Sequence, residues 1–531
     1  MTRRNFLTLG AAWLGAGLAI AGAPQPARNT VAVRKDLRLG LASEPTAVDP
    51  HFAALGPNLN LSQHLFDALV HADASGRLVP ALATSWRATD PVTWEFKLRT
   101  DVRFHDGSAL SMEDVLYSLQ RPGTITNSPA PFTTFSRQVL STQGTDGTTL
   151  VIKTREPYGG LPGDLSSLFI VSKRAAEGAS SADFDSGKAA VGTGPYKLVR
   201  FKKGESVVLH RHDAYWDGKP AWEDATLQFL PDEKQRTAAL LAGQVDAIEG
   251  VPPADAAALR GQPGMAVVQR TSWRTIFLHL EQFTDHSPWI EDTAGQPMRT
   301  SPLKDRRVRR ALSLAINRPA IARSTMEGMA TPAAQLISPG IIGYSPILKP
   351  DAYDPVEAKR LLADAGLPNG FRLTLHAPNN RYINDEQIAV TVAQLWSRVG
   401  VATHVETLPA ATYFNRARRG EFSVAMLGYG SSGADFALRA LLGTPDSAKG
   451  WGTWNWAKYS NTRLDAALKE SLRSTDPVKR QNQAAAAMEI AMLDHAAIPL
   501  HHQAATWAMR SGIAYAGRVD EFTLAHQFRV G

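Results

Sequence analysis

The residues best able to do chemistry are two histidine groupings and one serine pair. His210-x-His212-Asp213 and His501-His502 are the densest sets of metal-capable side chains. Residues two apart in a strand share a face, so His210 and His212 could reach one ion. No third ligand stands at a recognisable spacing, and neither an HExxH helix nor a DxDxDG loop occurs. The chain contains no cysteine, which removes thiolate nucleophiles, cysteine-ligated zinc and disulfide scaffolding. His210 and His212 therefore read as a surface strand, and no metal or cofactor is expected. Ser431 and Ser432, within Gly428-Tyr429-Gly430-Ser431-Ser432-Gly433, do not form a G-x-S-x-G elbow and have no base at a telling distance. The expected catalytic set is empty.

Elements that would position these groups can be read from periodicity. Arg38 to Leu41 is a first strand, and Leu61 to Val70 a helix with Leu61, Leu65, Phe66 and Leu69 on one side. Thr93 to Leu98 alternates as a strand. Ser111 with Asp114 makes a capping box for the next helix. Gly192-Thr193-Gly194-Pro195-Tyr196 is a tight entry into a hairpin of strands from Tyr196 to Phe201 and around Ser206 to His210. It is not a phosphate loop, because GxGxxG and the Walker lysine are both absent. Asp232 to Gly243 reads as a helix with a glycine cap, followed by a strand at Gln244 to Ile248. Asp354-Pro355-Val356-Glu357 opens a further helix that Gly366 closes. Strands at Phe371 to Leu375, Val401 to Val405 and Phe422 to Leu427 alternate with helices, which argues for an α/β lobe.

The 531 residues exceed a single core and fit two or three lobes. Formal net charge is +7, with basic residues spread along the chain. The densest cluster, Arg306, Arg307, Arg309 and Arg310, interleaves with Val308, Ala311 and Leu312. It reads as the solvated side of an amphipathic helix, so no nucleic-acid partner is expected. Residues 1–23 form a twin-arginine signal pattern: Arg3-Arg4-Asn5-Phe6-Leu7, an uncharged apolar run from Leu9 to Ile20, and Ala21-Gly22-Ala23 as cleavage site. That run is shorter than the ~20 residues a bilayer span requires.

Taken in order, the words around Val48-Asp49-Pro50-His51, FHDGSALSMEDVLYSL from Phe104, VGTGPYKL from Val191, the helix-Gly-strand segment before Ile248, and the closing run through YSNTRLDAAL at Tyr459 to His501 resemble one family. It is family 5 of the extracytoplasmic solute-binding proteins, the dipeptide, oligopeptide, nickel and glutathione receptors of ABC importers. The resemblance implies an α/β periplasmic binding protein of type II (cluster C), with two hinged lobes and a subdomain inserted in the first. On that pattern the first lobe takes residues 36–60, 189–275 and 499–531, the inserted subdomain 61–188, and the second lobe 276–498. It further implies a monomer in the periplasm, exported by the twin-arginine route, whose closed form docks on an inner-membrane permease.

The resemblance also places the ligand. The family's peptide binders carry an aromatic residue in the loop that here runs Gly428 to Leu438, and three positions on an aspartate for the peptide's amino terminus. Tyr429 holds the aromatic place, whereas the aspartate place falls on Ser432, with Asp435 the nearest acid. The wording of this loop resembles that of glutathione-binding members. Expected ligand contacts are Tyr429, Gly430, Ser431, Ser432 and Asp435. An anionic ligand would want an arginine, and Arg381, with Tyr382 and Asn384, lies between a strand end and a helix start, where clefts open. Phe52 to Asn58 matches the family's other pocket loop. The ligand class expected is a peptide or peptide-like solute; a periplasmic amide or peptide hydrolase, or a ligand-sensing receptor, is the alternative.

Overall fold

A computed structural model describes residues 35–447 and 449–531; the twin-arginine segment expected at residues 1–23 lies outside the described residues. Among these, the fold is dominated by one twelve-stranded mixed sheet. Two long neighbouring antiparallel strands, Met265–Leu280 and Ala497–Arg510, run through its middle. On one side the order continues through Ala247–Glu249, Asp36–Leu41, Asp224–Phe229, Ser206–Arg211 and Tyr196–Lys202. On the other it continues through Val424–Gly430, Phe371–Pro378 and Ile290–Glu291; Val401–Leu408 adds to Phe371–Pro378, and Ala330–Pro332 to Ala497–Arg510.

Each side contains parallel strands, Asp36–Leu41 with Asp224–Phe229 and Ala247–Glu249, and Phe371–Pro378 with Val401–Leu408 and Val424–Gly430. Parallel strands need crossover connections, and helices fill them. Each side therefore encloses its own apolar core, one around Leu39, Tyr196 and Trp507 and another around Leu312, Leu375 and Trp396. Register between the two long strands slips between Thr271 and Thr275, midway along their pairing. Separately, Ala83–Asp90, Thr93–Leu98, Thr149–Thr154 and Val139–Gly144 make a four-stranded antiparallel sheet with a core around Phe96, Leu150 and Ile152.

Local signals account for most elements. Ser111 and Asp114 form the capping box on Met112–Gln120, and Asp354 caps Pro355–Asp364, which ends before Gly366 at φ +84°. Three expectations need correction. The helix expected at Leu61 to Val70 runs instead over Gly56–Leu65, and Val70 opens a strand. It stops because Leu65 and Phe66 receive the Gly192–Gly194 backbone: a Cβ on Gly192 would sit 1.9 Å from the Leu65 carbonyl oxygen, and one on Gly194 2.5 Å from the Leu65 carbonyl carbon. His105 and His212 close around the same glycines, His105 Nε2 lying 3.1 Å and His212 Nδ1 3.3 Å from the Gly194 carbonyl oxygen.

His212 is thus buried just past the strand end, not on a surface strand, while His210 alone is exposed and meets Asp224 at 2.8 Å. Finally, Arg309 is not solvated. It is buried and donates to the carbonyls of Leu303, Asp494 and His495, whereas Arg306, Arg307 and Arg310 are exposed.

Candidate ligand cavity

The carboxyl ends of both parallel sets open on one cavity of about 1610 Å³. Leu41–Ser43, Pro231–Lys234 and Glu249–Gly250 follow strands of one side, and Asn379–Gln387 and Gly430–Ser432 follow strands of the other. Such carboxyl-end crevices are where open α/β sheets bind ligands. Trp273 and Arg274, from one long strand, and Gln503–Trp507, from the other, cross the floor where the register slips. Residues around the four-stranded sheet, including Tyr158 and Asp164, complete the wall, as do Ala54–Pro57.

Two glycines let aromatic rings close in. A Cβ on Gly430 would lie 2.6 Å from the Trp273 ring, and one on Gly428 2.6 Å from the Tyr382 ring. Tyr429, at the end of its strand, lines the cavity and meets Trp454 edge-on, with ring centroids 6.4 Å apart. Ser431 and Ser432 also line it. The Ser431 hydroxyl donates to the Gly433 carbonyl at 2.8 Å and receives the Gly433 N–H, so its own turn occupies it. No histidine lies beside either serine among the hydrogen bonds of the described residues.

Asp435 is placed differently from the other loop residues. It sits in the first turn of Ala434–Leu441, fully buried, and pairs with Arg480 at 2.8 Å. Arg480 also donates to the Gly159 carbonyl at 3.0 Å. Asp435 does not line the cavity; its buried carboxylate is taken up by Arg480.

Arg381, Tyr382 and Asn384 do line the cavity. The Asp385 carboxylate folds their loop by accepting the N–H groups of Arg381 at 2.9 Å and Tyr382 at 3.0 Å. Asn384, at φ +54°, donates through its side chain to the Thr325 carbonyl at 2.8 Å. The Arg381 guanidinium lies over the Tyr382 ring, 5.4 Å from its centroid, and has no ion-pair partner among the described residues. Its side chain stands exposed at the cavity wall, and an arginine is always protonated, so an anion is the partner it could take from the cavity. Arg274 itself is occupied by Glu521 at 2.8 Å. This pair and Trp273 were not foreseeable from sequence, since Arg274 and Glu521 are 247 positions apart.

The remaining metal-capable groups stay apart. His501 is buried with neither ring nitrogen partnered, and His502 Nδ1 meets Thr275 Oγ1 at 2.9 Å. Among the described residues no group of three metal-capable side chains converges.

A cavity walled by two parallel-strand sets and crossed by two strands defines a solute-binding fold of the type II periplasmic class, and the comparisons agree. Residues 77–447 match the family described as bacterial extracellular solute-binding proteins, family 5; the chain belongs to it. The glutathione-binding protein GsiB of Escherichia coli strain K12 is 28% identical over 481 residues, covering 88% of each chain. DppA from Helicobacter pylori, solved with the peptide STSA, superposes with a TM-score of 0.74 at 23% identity, covering 93% of this chain and 98% of that one. CtaP from Listeria monocytogenes superposes at 0.80 with 21% identity, covering 94% and 99%. The family binds solutes outside the cytoplasm and is not enzymatic, in keeping with the occupied Ser431 hydroxyl.

Proposed function

We propose that this chain is the periplasmic receptor of an ABC importer and captures a small anionic peptide or peptide-like solute, glutathione-type in class, for delivery to an inner-membrane permease. The observation that carries the reading is Arg381, an arginine with no acidic partner among the described residues, on the wall of a cavity large enough for a tripeptide. A ligand carboxylate would supply the missing partner through a bidentate pair. Likeness to GsiB, a glutathione-binding protein by name, supports the same class. Tyr429, Trp454, Trp273 and Tyr382 offer apolar faces, and Gly430 to Ser432 offer backbone and hydroxyl groups. The slipped register at Thr271 to Thr275 supports a hinge there, about which two lobes would close. The expected lobe boundaries, monomeric state and twin-arginine export belong to this proposal.

Thermal unfolding against dipeptides, tripeptides, reduced and oxidised glutathione, opines and nickel-histidine tests it, with ligands recovered intact afterwards. A ligand at 100 times its dissociation constant adds about 2.7 kcal/mol. An anionic peptide that stabilises the wild type but not Arg381→Ala supports the assignment. Stabilisation by uncharged solutes alone, or unchanged affinity in Arg381→Ala, overturns it.

A further inference from the structure

The acid expected opposite a ligand amine is absent at Ser432, and Asp435 is consumed by Arg480. Most of the cavity's other carboxylates have partners or face solvent. Glu521 accepts from Arg274 and from Ser272 Oγ at 2.6 Å. Asp520 is paired with Arg518. Glu249 accepts the Ala42 N–H at 3.0 Å and the Thr523 hydroxyl. Asp385 is filled by the N–H groups of its own turn. Asp232, Glu233 and Glu386 are exposed to solvent.

Asp164 is the exception. It lines the cavity and is 7% exposed. Its one side-chain hydrogen bond comes from the Tyr158 hydroxyl to Oδ2 at 2.7 Å, and Oδ1 accepts none among the described residues. Tyr158 is itself buried at 2% exposure. Phe436 packs close to the intervening turn, 2.8 Å from where a Cβ of Gly160 would stand. Arg439, whose charge acts on Asp164, lies over the Phe436 ring at 5.4 Å and makes no ion pair with Asp164 among the described residues. A buried carboxylate with one donor is short of partners, and ionised carboxylates accept up to about four.

We propose that Asp164, presented by Tyr158, is the cavity's subsite for a primary ammonium of the bound solute. This deepens the receptor reading and rests on it: the ligand then carries separated charges, a carboxylate at Arg381 and an amine at Asp164. The amine is thereby received by the chain segment between Tyr158 and Leu165, and not by the loop after Val424–Gly430. Burial raises the Asp164 carboxyl to about 7, against the opposing pull of Arg439, Tyr158 and Arg480, and an incoming ammonium would restore its charge.

The test uses purified protein and calorimetry at pH 8 with four probes: glutathione, N-acetyl-glutathione, Ala-Ala-Ala and N-acetyl-Ala-Ala-Ala. Wild type should bind a free-amine probe at least about tenfold more tightly than its acetylated partner, as expected for a charge-assisted hydrogen bond. Asp164→Asn, which keeps a partner for Tyr158, should bring that ratio within about twofold, and the exposed, remote His210→Ala should leave it unchanged. Wild type binding both forms equally overturns the proposal whether or not any variant folds, as does a ratio that survives in Asp164→Asn. Equal binding that still requires Arg381 leaves the receptor reading standing and removes only Asp164. No binding of any probe removes both.

Discussion

Replacing Asp435 separates two roles that look alike in sequence. In the structure its carboxylate is fully buried against Arg480, which also reaches the Gly159 carbonyl. Removing one member of a buried ion pair strands the other charge and costs about 3–5 kcal/mol. For 531 residues, ~2.1 cal/mol/K per residue gives an unfolding entropy of about 1 kcal/mol/K, so Tm should fall by about 3–5 °C in Asp435→Ala. Arg480→Ala should cost a similar amount. The double replacement Asp435→Leu with Arg480→Met should recover most of the loss, because a packed apolar pair avoids the desolvation of two charges. Calorimetric unfolding of the four proteins without ligand makes the comparison. A Tm within 1 °C of wild type in Asp435→Ala, coupled with a large loss of ligand affinity, would refute the reasoning and return Asp435 to the role of amine anchor.

Other outcomes follow from the same geometry. Gly159→Ala places a Cβ 1.7 Å from the Ser474 carbonyl oxygen and should cost at least the ~1–3 kcal/mol of ordinary overpacking, read as a lower Tm; an unchanged Tm would contradict the packing described. Burial holds His64 and His502 down to about 4, and His105, His279 and His501 down to about 3. Unfolding lets these five take up protons at ~6.5. Their contribution is therefore complete above that value and is lost as pH falls from ~6.5 toward 4. Asp164, raised to about 7, works the other way but is outnumbered, so Tm should decline steadily between pH 6.5 and 4.5; a flat profile would count against buried neutral histidines. Trp273, Trp454 and Trp507 line the cavity, so Trp454→Phe should reduce, and Trp454→Phe with Trp273→Phe should reduce further, any ligand-induced change in tryptophan fluorescence; a full-sized change in the double variant would put the reporting indole elsewhere.

Elements were legible where a local rule governs them. Capping at Ser111 and Asp354, strand alternation at Thr93 to Leu98, and the glycine stops at Gly243 and Gly366 depend on neighbours a few positions away. The helix ending at Leu65 was misread because the reason it stops lies at Gly192 and Gly194, beyond any local window. Arg309 looked solvated for a related reason: the carbonyls that bury it belong partly to Asp494 and His495. In the cavity, Arg381 could be located from its place between a strand end and a helix start, whereas Tyr429 came from the resemblance of its loop. Asp435, expected as a ligand contact, is instead taken up by Arg480, 45 positions away and beyond any local signal. Asp164 carried no sequence signal, as one aspartate in a loop-rich stretch is marked only by what fails to pair with it.

The strand Ala497–Arg510 hydrogen-bonds to three others, Ala247–Glu249, Met265–Leu280 and Ala330–Pro332, in the middle of the sheet. It also follows all three of these partners in the chain. Until it arrives, Met265–Leu280 and Ala247–Glu249 each present an unpaired edge, and the two sides of the sheet have nothing between them. Exposed edges of this kind invite pairing with other chains. Synthesis must therefore pass Arg510 before the two sides can join, and the nascent chain needs its edges shielded until then.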